Sequence, residues 1–354
     1  MRIAYLINHD ISQNDGVTKK VISQVEEWKK LGVTVTVFCV TKNKGVSILE
    51  ANQYSSKGFF YDRIFLNKKL ISDLNLFKPN LVYFRYDTIS ATLKNIFKNY
   101  KTIAELNTND LGEYLLLLKK EKSIKSLLRY LVYVLFRGMV FRNIKGIVGV
   151  TEEIKDLPSI KKYNLKSVCI PNSINLMTYN IVKVSKDSLK KRTSFFFIGT
   201  PNQPWHGVDI IKKLSIDLPE FDFHIVGIDG DSTTNLFYYG YLNKEQYSSI
   251  LKNMNICIGS LALYRNKMSE ACPLKVREYL AYGFPTIIGY KEASFPNTKE
   301  ISWLLNIDSK NYNINKIKQF VLENKDYVVQ RDQIECIDTK AVEIKRIEFF
   351  SSFV

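Results

Sequence analysis

Two doubly wound α/β domains are predicted, on three grounds. The chain has 354 residues, more than twice the size of an average domain. Short β-branched or aromatic runs alternate with helical patterns, as βαβ units require. The alternation then restarts near residue 194, after a polar stretch at 183–192.

Each element has a local reason. A strand is expected over 2–7. A helix follows over 17–31, where Val21, Val25, Trp28 and Leu31 recur at helical spacing and Gly32 supplies the stop. Further strands are expected over 34–40, 81–86, 102–106, 146–151 and 167–170. In the second half they fall over 194–198, closed by Gly199, and then over 223–226, 237–241, 255–258 and 286–289. Residues 339–354 read as an amphipathic helix. The expected division is 1–175 for the first domain, 176–192 for a linker and 193–335 for the second domain. A terminal segment at 336–354 has the first domain as its candidate partner. Open α/β sheets bind ligands beyond the C-terminal ends of their strands. Two such domains facing a central cleft would line it with helix N-termini, which favour a ligand with an anionic middle.

Composition narrows the function classes. Lys and Arg number 51 against 35 Asp and Glu, a net charge of +16, while 45% of residues are hydrophobic. That apolar share fits packed domains rather than a disordered polycation. The longest apolar run, 130–136, is far too short to span a bilayer. The opening MRIAYLINHD lacks the apolar core of an export signal, so a cytoplasmic protein is expected. Cys39, Cys169, Cys257, Cys272 and Cys336 are scattered and only three histidines accompany them, a pattern for neither zinc nor a disulfide framework. No metal and no cofactor are expected. G-x-G-x-x-G and G-K-[ST] loops are absent, which removes the main support for a dehydrogenase or a P-loop enzyme. The positive charge calls for anionic partners, and no motif directs it to nucleic acid.

The stretch from Ser269 to Pro285 carries the chemistry. Pro273 suits the first position of a helix that ends at Gly283. The N–H groups of Leu274 and Lys275, with the Lys275 ammonium in the same turn, form a ready diphosphate site. Glu270 precedes this anion site and Glu278 follows it. Carboxylates there make sense if the ligand also offers hydroxyls, since a carboxylate accepting from a diol gains roughly 1.5–3 kcal/mol per bond. A sugar nucleotide has hydroxyls on both sides of its diphosphate.

Glu270 and Glu278 with seven residues between them, then Ala281-Tyr282-Gly283-Phe284-Pro285, resemble the E-x7-E element of retaining GT-B glycosyltransferases. The likeness is strongest to the family-four enzymes of bacterial polysaccharide and lipid-linked glycan assembly. Asp15-Gly16, Ile170-Pro171-Asn172-Ser173-Ile174-Asn175, Phe197-Ile198-Gly199 and Tyr239-Gly240-Tyr241-Leu242 match as well, so the resemblance runs from residue 2 to about 290. It implies a GT-B fold and a metal-independent transferase taking a nucleoside-diphosphate sugar, with retention. Glu278 is then the ribose ligand, and Glu270 contacts the transferred sugar. The amides around Cys272, Pro273, Leu274 and Lys275 hold the diphosphate, and the backbone around Tyr241 reads the base. Gly16 allows close approach to the ligand.

Two departures stand out. Thr200 and His206 occupy positions where relatives carry Arg and Lys. Lys275 is therefore the favoured counter-charge, with Arg265, Lys267 and a protonated His206 as alternatives. In the first domain Glu105, Asn107 and Asp110 stand where relatives place a sugar-facing histidine, and are assigned to the acceptor or sugar side; ordinary turn and cap chemistry is the rival account. Residues 119–145 carry eight basic residues against one acid. As one helix they would set a basic face against an apolar one, suited to the anionic inner face of the plasma membrane or to simple core packing. The expected acceptor is a glycan or a polyprenyl-diphosphate-linked glycan, as in O-antigen or capsule assembly. A nucleotide-sugar epimerase and a non-catalytic nucleotide-sugar-binding subunit are the alternatives.

Overall fold

The computed structural model describes residues 1–12, 15–42, 45, 49–182, 192–297 and 300–354. Residues 183–191 of the expected linker lie outside these. The chain divides into two compact units, residues 1–172 with 339–354, and residues 173–338.

The first unit holds a seven-stranded sheet of β1 (Arg2–Asn8), β2 (Thr34–Thr41), β3 (Ala51–Ser55), β4 (Leu81–Arg85), β5 (Thr102–Leu106), β6 (Gly146–Gly149) and β7 (Lys166–Cys169). Its order is β3-β2-β1-β4-β5-β6-β7, and every pairing is parallel. The central strands are buried on both faces, which explains their unbroken apolar runs. The helices are α1 (Gly16–Lys30), α2 (Phe59–Ile64), α3 (Lys68–Phe77), α4 (Ala91–Asn99), α5 (Asp110–Glu121), α6 (Ile124–Phe141), α7 (Glu152–Lys155) and α8 (Pro158–Lys161). Asp15 caps α1 by accepting from the Thr18 amide, and Gly32 leaves it at φ +78°. Val21, Val25 and Trp28 fill the core beneath α1, each burial worth about 1.5–3 kcal/mol.

The basic stretch at 119–145 is two helices rather than one. Lys122 ends α5 in the left-handed region at φ 47°, and Ser123 starts α6 with a Ser123/Ser126 capping box. The rival account of this stretch, an apolar face packed in the core, also fails. The core-facing residues of α6 are Ser126, Tyr133, Arg137, Val140 and Phe141, while its apolar stripe faces outward.

The second unit contains β8 (Ser194–Ile198), α9 (Val208–Asp217), β9 (Asp222–Val226), β10 (Leu236–Tyr238), α10 (Lys244–Leu251), β11 (Ile256–Ile258), β12 (Glu270–Ala271), α11 (Leu274–Ala281), β13 (Thr286–Ile288), β14 (Lys291–Glu292), β15 (Leu304–Asn306) and α12 (Ile314–Asn324). Six strands form a parallel sheet in the order β10-β9-β8-β11-β13-β15, and β12 pairs separately with β14. Phe195, Phe197, Ile225, Ile256 and Ile287 form its core with Leu214 of α9 and Phe320 of α12.

The last helix, α13 (Thr339–Ser351), belongs to the first unit. Phe350 meets Trp28 edge-on at 5.5 Å between ring centres. The Glu343 carboxylate accepts from Trp28 Nε1 at 2.7 Å and from Arg346 Nε at 2.7 Å, and Arg346 Nη1 donates to Tyr83 at 2.6 Å. The Glu343 and Arg346 side chains are both fully enclosed.

Candidate functional site

The second sheet has a repeated ending. Ser194–Ile198, Asp222–Val226, Ile256–Ile258 and Thr286–Ile288 are each followed directly by glycine, at 199, 227, 259 and 289, and Gly240 lies two residues beyond β10. A side chain at these positions would meet close neighbours. Gly227 lies at φ +83° with the Gly199 carbonyl where a Cβ would sit, and a Cβ on Gly199 would come within 2.9 Å of His206 Nδ1. The C-terminal edge of this sheet is thus floored by backbone, the side on which parallel sheets bind ligands.

Helix α11 is docked onto that edge. The Ile198 amide donates to Tyr279 Oη at 2.9 Å, and Lys275 Nζ donates to the Ile198 carbonyl at 3.2 Å. Pro273 is the N-cap rather than the first helical residue, and no side chain caps the helix start. The first-turn amides, which have no acceptor inside the helix, therefore remain for another partner. The Lys275 ammonium sits 4.1 Å from the centre of the Phe197 ring and has no carboxylate in ion-pair range among the described residues. Burial pushes it down to about 7.

His206 stands beside this lysine in a short 3-10 turn, Pro204–His206. Burial first, and then the Lys275 charge, push its imidazole down to about 3, so it is neutral at physiological pH. A protonated His206, one of the alternatives to Lys275 as counter-charge, is therefore disfavoured. Arg265 is likewise committed. It forms a bidentate pair with Asp209 at 2.8 and 2.6 Å and donates to the Pro204 carbonyl at 2.9 Å. Thr200 is exposed at the sheet edge, and the Tyr241 side chain is 87% exposed.

The paired acids are held differently. Glu278, three residues beyond Lys275 on α11, is half-buried and accepts from Tyr247 Oη at 2.9 Å. Glu270 is buried on β12 and lies 3.5 Å from Lys291 Nζ. Behind them Arg277 of α11 donates to Glu292 at 2.7 Å and to Ser294 at 2.8 Å, fully buried. Glu292 belongs to β14, the partner strand of β12, so this ion pair fixes the Glu270 strand to α11. Cys272 is buried between them in sequence. Structure thus brings Gly199, His206 and Lys275 together, sets Glu278 on the same helix, and moves Arg265 onto Asp209.

No protein-family model matches the sequence, and no curated protein does. Solved structures match over essentially the whole chain. The lipopolysaccharide outer core galactosyltransferase WaaB aligns at 14% identity over 100% of both chains, with a TM-score of 0.59. Alr3699/HepE of Anabaena in complex with UDP-glucose aligns at 11% identity over 99% of this chain and 100% of that one, TM-score 0.63. An alpha-glucosyltransferase in complex with UDP and a 13-mer DNA aligns at 12% identity over 99% of each, TM-score 0.67. The chain has the GT-B fold. At these identities the likeness establishes architecture, and chemistry has to be argued from the residues.

In the first unit of this GT-B chain the three acceptor-side candidates are already engaged. Glu105 is fully buried. Burial alone would raise its carboxyl, but Lys20 at 2.8 Å, Arg346 at 3.3 Å and the charge of Arg85 hold it far below the carboxylate range. Asn107 accepts from Lys20 at 2.8 Å and donates to Glu105 at 3.2 Å. Asp110 is buried and paired with Arg137 at 2.8 Å. Enclosure and these partners leave Glu105 and Asp110 as structural ions, not groups poised on an acceptor hydroxyl. Gly16 is an exposed first helical residue, and its neighbour Asp15 pairs with His9 at 2.9 Å.

A pocket that sequence reasoning missed lies nearby, at the C-terminal ends of β1 and β4 and beside α2. Asn8, Arg63, Phe65, Arg85 and Asp87 line it. Asp87 accepts from Arg63 at 2.6 Å, Tyr133 at 2.8 Å and Asn8 at 3.1 Å. The available signal was the ending of an apolar strand on Arg85-Tyr86-Asp87.

Proposed function

We propose that this protein is a glycosyltransferase moving a sugar from a nucleoside-diphosphate sugar to a glycan or polyprenyl-diphosphate-linked acceptor. In this reading it acts at the inner face of the plasma membrane in surface polysaccharide assembly, O-antigen or capsule. The observation that carries it is Lys275, a half-buried ammonium with no carboxylate in ion-pair range among the described residues, set at an uncapped helix start above a glycine-floored sheet edge. Burying an unpaired cation is costly. A diphosphate is the ligand that would offset that cost. The likeness of the whole chain to nucleotide-sugar transferases supports the same reading.

The second unit is proposed to hold the donor and the first the acceptor. Glu278, oriented by Tyr247, accepts from the ribose hydroxyls, and Glu270 from the transferred sugar. Transfer proceeds with retention and without metal. The bond from the anomeric carbon to the diphosphate oxygen breaks, the bond to the acceptor oxygen forms on the same face, and the acceptor proton passes to the departing phosphate. Lys275 and the α11 amides stabilise the charge that develops on the diphosphate, the largest source of rate in such displacements.

A thermal-shift panel of nucleotide sugars tests the donor site. A micromolar donor in large excess should add roughly 2–4 kcal/mol of stability. No shift with any uridine or guanosine diphosphate sugar would refute the reading. Product anomeric configuration by NMR and activity in chelator then test retention and metal independence. The occupied Arg265 and neutral His206 favour one second reading, a binding subunit without turnover. Donor binding with no transfer to any acceptor would select it, and conversion of donor alone to an isomer would select an epimerase.

A further inference from the structure

The first unit exposes apolar side chains in an uneven way. Among the described residues, 14 of the 24 exposed large hydrophobic side chains fall within 60–66 and 117–139. Chance surface exposure scatters such residues singly, whereas a contiguous set marks a contact surface. On α6 the exposed residues include Ile124, Leu127, Leu128, Leu131 and Leu135. Their spacing is that of one helical face, opposite the face bearing the buried Tyr133 and Arg137. Ile124 is 78% exposed and Leu135 68%.

Helix α2 has no buried residue at all. Phe60, Tyr61, Ile64 and Phe65 are all exposed, Ile64 to 70%. The two segments are joined physically. The Arg129 guanidinium of α6 lies 5.6 Å from the Phe59 ring of α2, Arg63 covers the same ring at 4.5 Å, and Asp87 ties Arg63 to Tyr133. Both segments are flanked by exposed cations: Lys57, Lys68 and Lys69 around α2, and Lys119, Lys122 and Lys125 at the junction of α5 and α6.

We infer that α2 and α5–α6 together form a single docking surface for an anionic lipid bilayer. Apolar side chains enter the acyl boundary while the flanking lysines meet anionic headgroups. Charge decides for a bilayer over a second copy of the chain, because the same lysines would repel one another across a symmetric interface. The inference deepens the lipid-linked acceptor reading and rests on it for its purpose. Phe65 belongs to the docking surface and also lines the pocket beside Asp87, so docking would bring that pocket to the headgroup layer.

The test is co-flotation of the full chain with vesicles of phosphatidylcholine alone or of phosphatidylcholine and phosphatidylglycerol at about 2:1. The pairs Phe60→Glu/Ile64→Glu and Leu131→Glu/Leu135→Glu are compared with wild type. All four sites are exposed, and circular dichroism confirms folding. Expected is binding to the anionic vesicles only, weakened by salt, and reduced about tenfold or more by either pair alone. The donor-induced thermal shift should stay unchanged in both variants. Absence of wild-type flotation overturns the inference, as does loss through only one pair. A dimer by light scattering that both pairs dissociate, without flotation, overturns it in favour of self-association. Flotation without any donor binding would leave the surface standing and refute the transferase reading instead.

Discussion

Lys275 makes donor binding a titration. With its ammonium pushed down to about 7 by burial, roughly nine-tenths of free protein carries the charge at pH 6 and about one-hundredth at pH 9. A diphosphate selects the charged form, so the apparent Kd is the intrinsic value divided by that fraction. Affinity should fall by nearly two orders of magnitude between these limits, about 2.7 kcal/mol. No neighbour confuses the profile, because His206 lies near 3 and burial raises both Tyr179 and Tyr247. The assay is isothermal titration calorimetry with the tightest nucleotide sugar of the panel, whose diphosphate diester stays ionised throughout. At pH 8 two buffers of different ionisation enthalpy should reveal uptake of about 0.9 proton per donor bound. Lys275→Met should bind weakly at every pH. A flat profile in wild type, or no proton uptake, would refute the assignment of Lys275 to the diphosphate.

Three further outcomes are expected. Glu278→Gln should weaken donor binding by roughly 1.5–3 kcal/mol while leaving the apo melting temperature nearly unchanged, read by calorimetry and by a thermal scan. Arg277→Leu leaves the buried Glu292 carboxylate unpaired and should cost about 3–5 kcal/mol in urea unfolding. Glu105→Gln disturbs the enclosed Lys20–Glu105–Arg346 cluster and should destabilise by a similar ~3–5 kcal/mol at pH 7. The folded carboxyl of Glu105 lies far below its unfolded value of about 4.3, so its contribution is present above that value and lost as pH falls toward the folded pKa. The variant's stability should therefore respond less to acid below about pH 4 than wild type does, and equal acid slopes would contradict the ion cluster.

What could be read from residues alone follows from what leaves a local trace. Strands such as Arg2–Asn8 and Ser194–Ile198 are buried on both faces and spell themselves as apolar runs. Strand Ala51–Ser55 is an edge strand with the polar sequence ANQYS, and Leu304–Asn306 is three residues long; neither carries a periodicity to detect. The break at Lys122 has no glycine or proline, only Ser123 and Ser126 reaching for each other. Within the site, the helix start at Pro273 and the acids at 270 and 278 were legible because they are neighbours in sequence. The fates of Arg265 and Glu105 were not, since their partners lie 56 and 241 residues away. Burial made Glu105 a member of an internal cluster and a surface pair with Asp209 engaged Arg265, and charge counting foresees neither partner.

The return of Thr339–Ser351 to the first unit bears on how the protein is made. Trp28, Tyr83 and Glu105 emerge from the ribosome long before Glu343 and Arg346 do. At about 5–20 residues per second, roughly ten to sixty seconds of translation separate them. Throughout that interval the early half keeps an open slot where the tail will lodge, while the intervening half has time to fold by itself. Closure of this core therefore comes late in synthesis, and a nascent chain stalled short of Thr339 would present an unfinished core to chaperones.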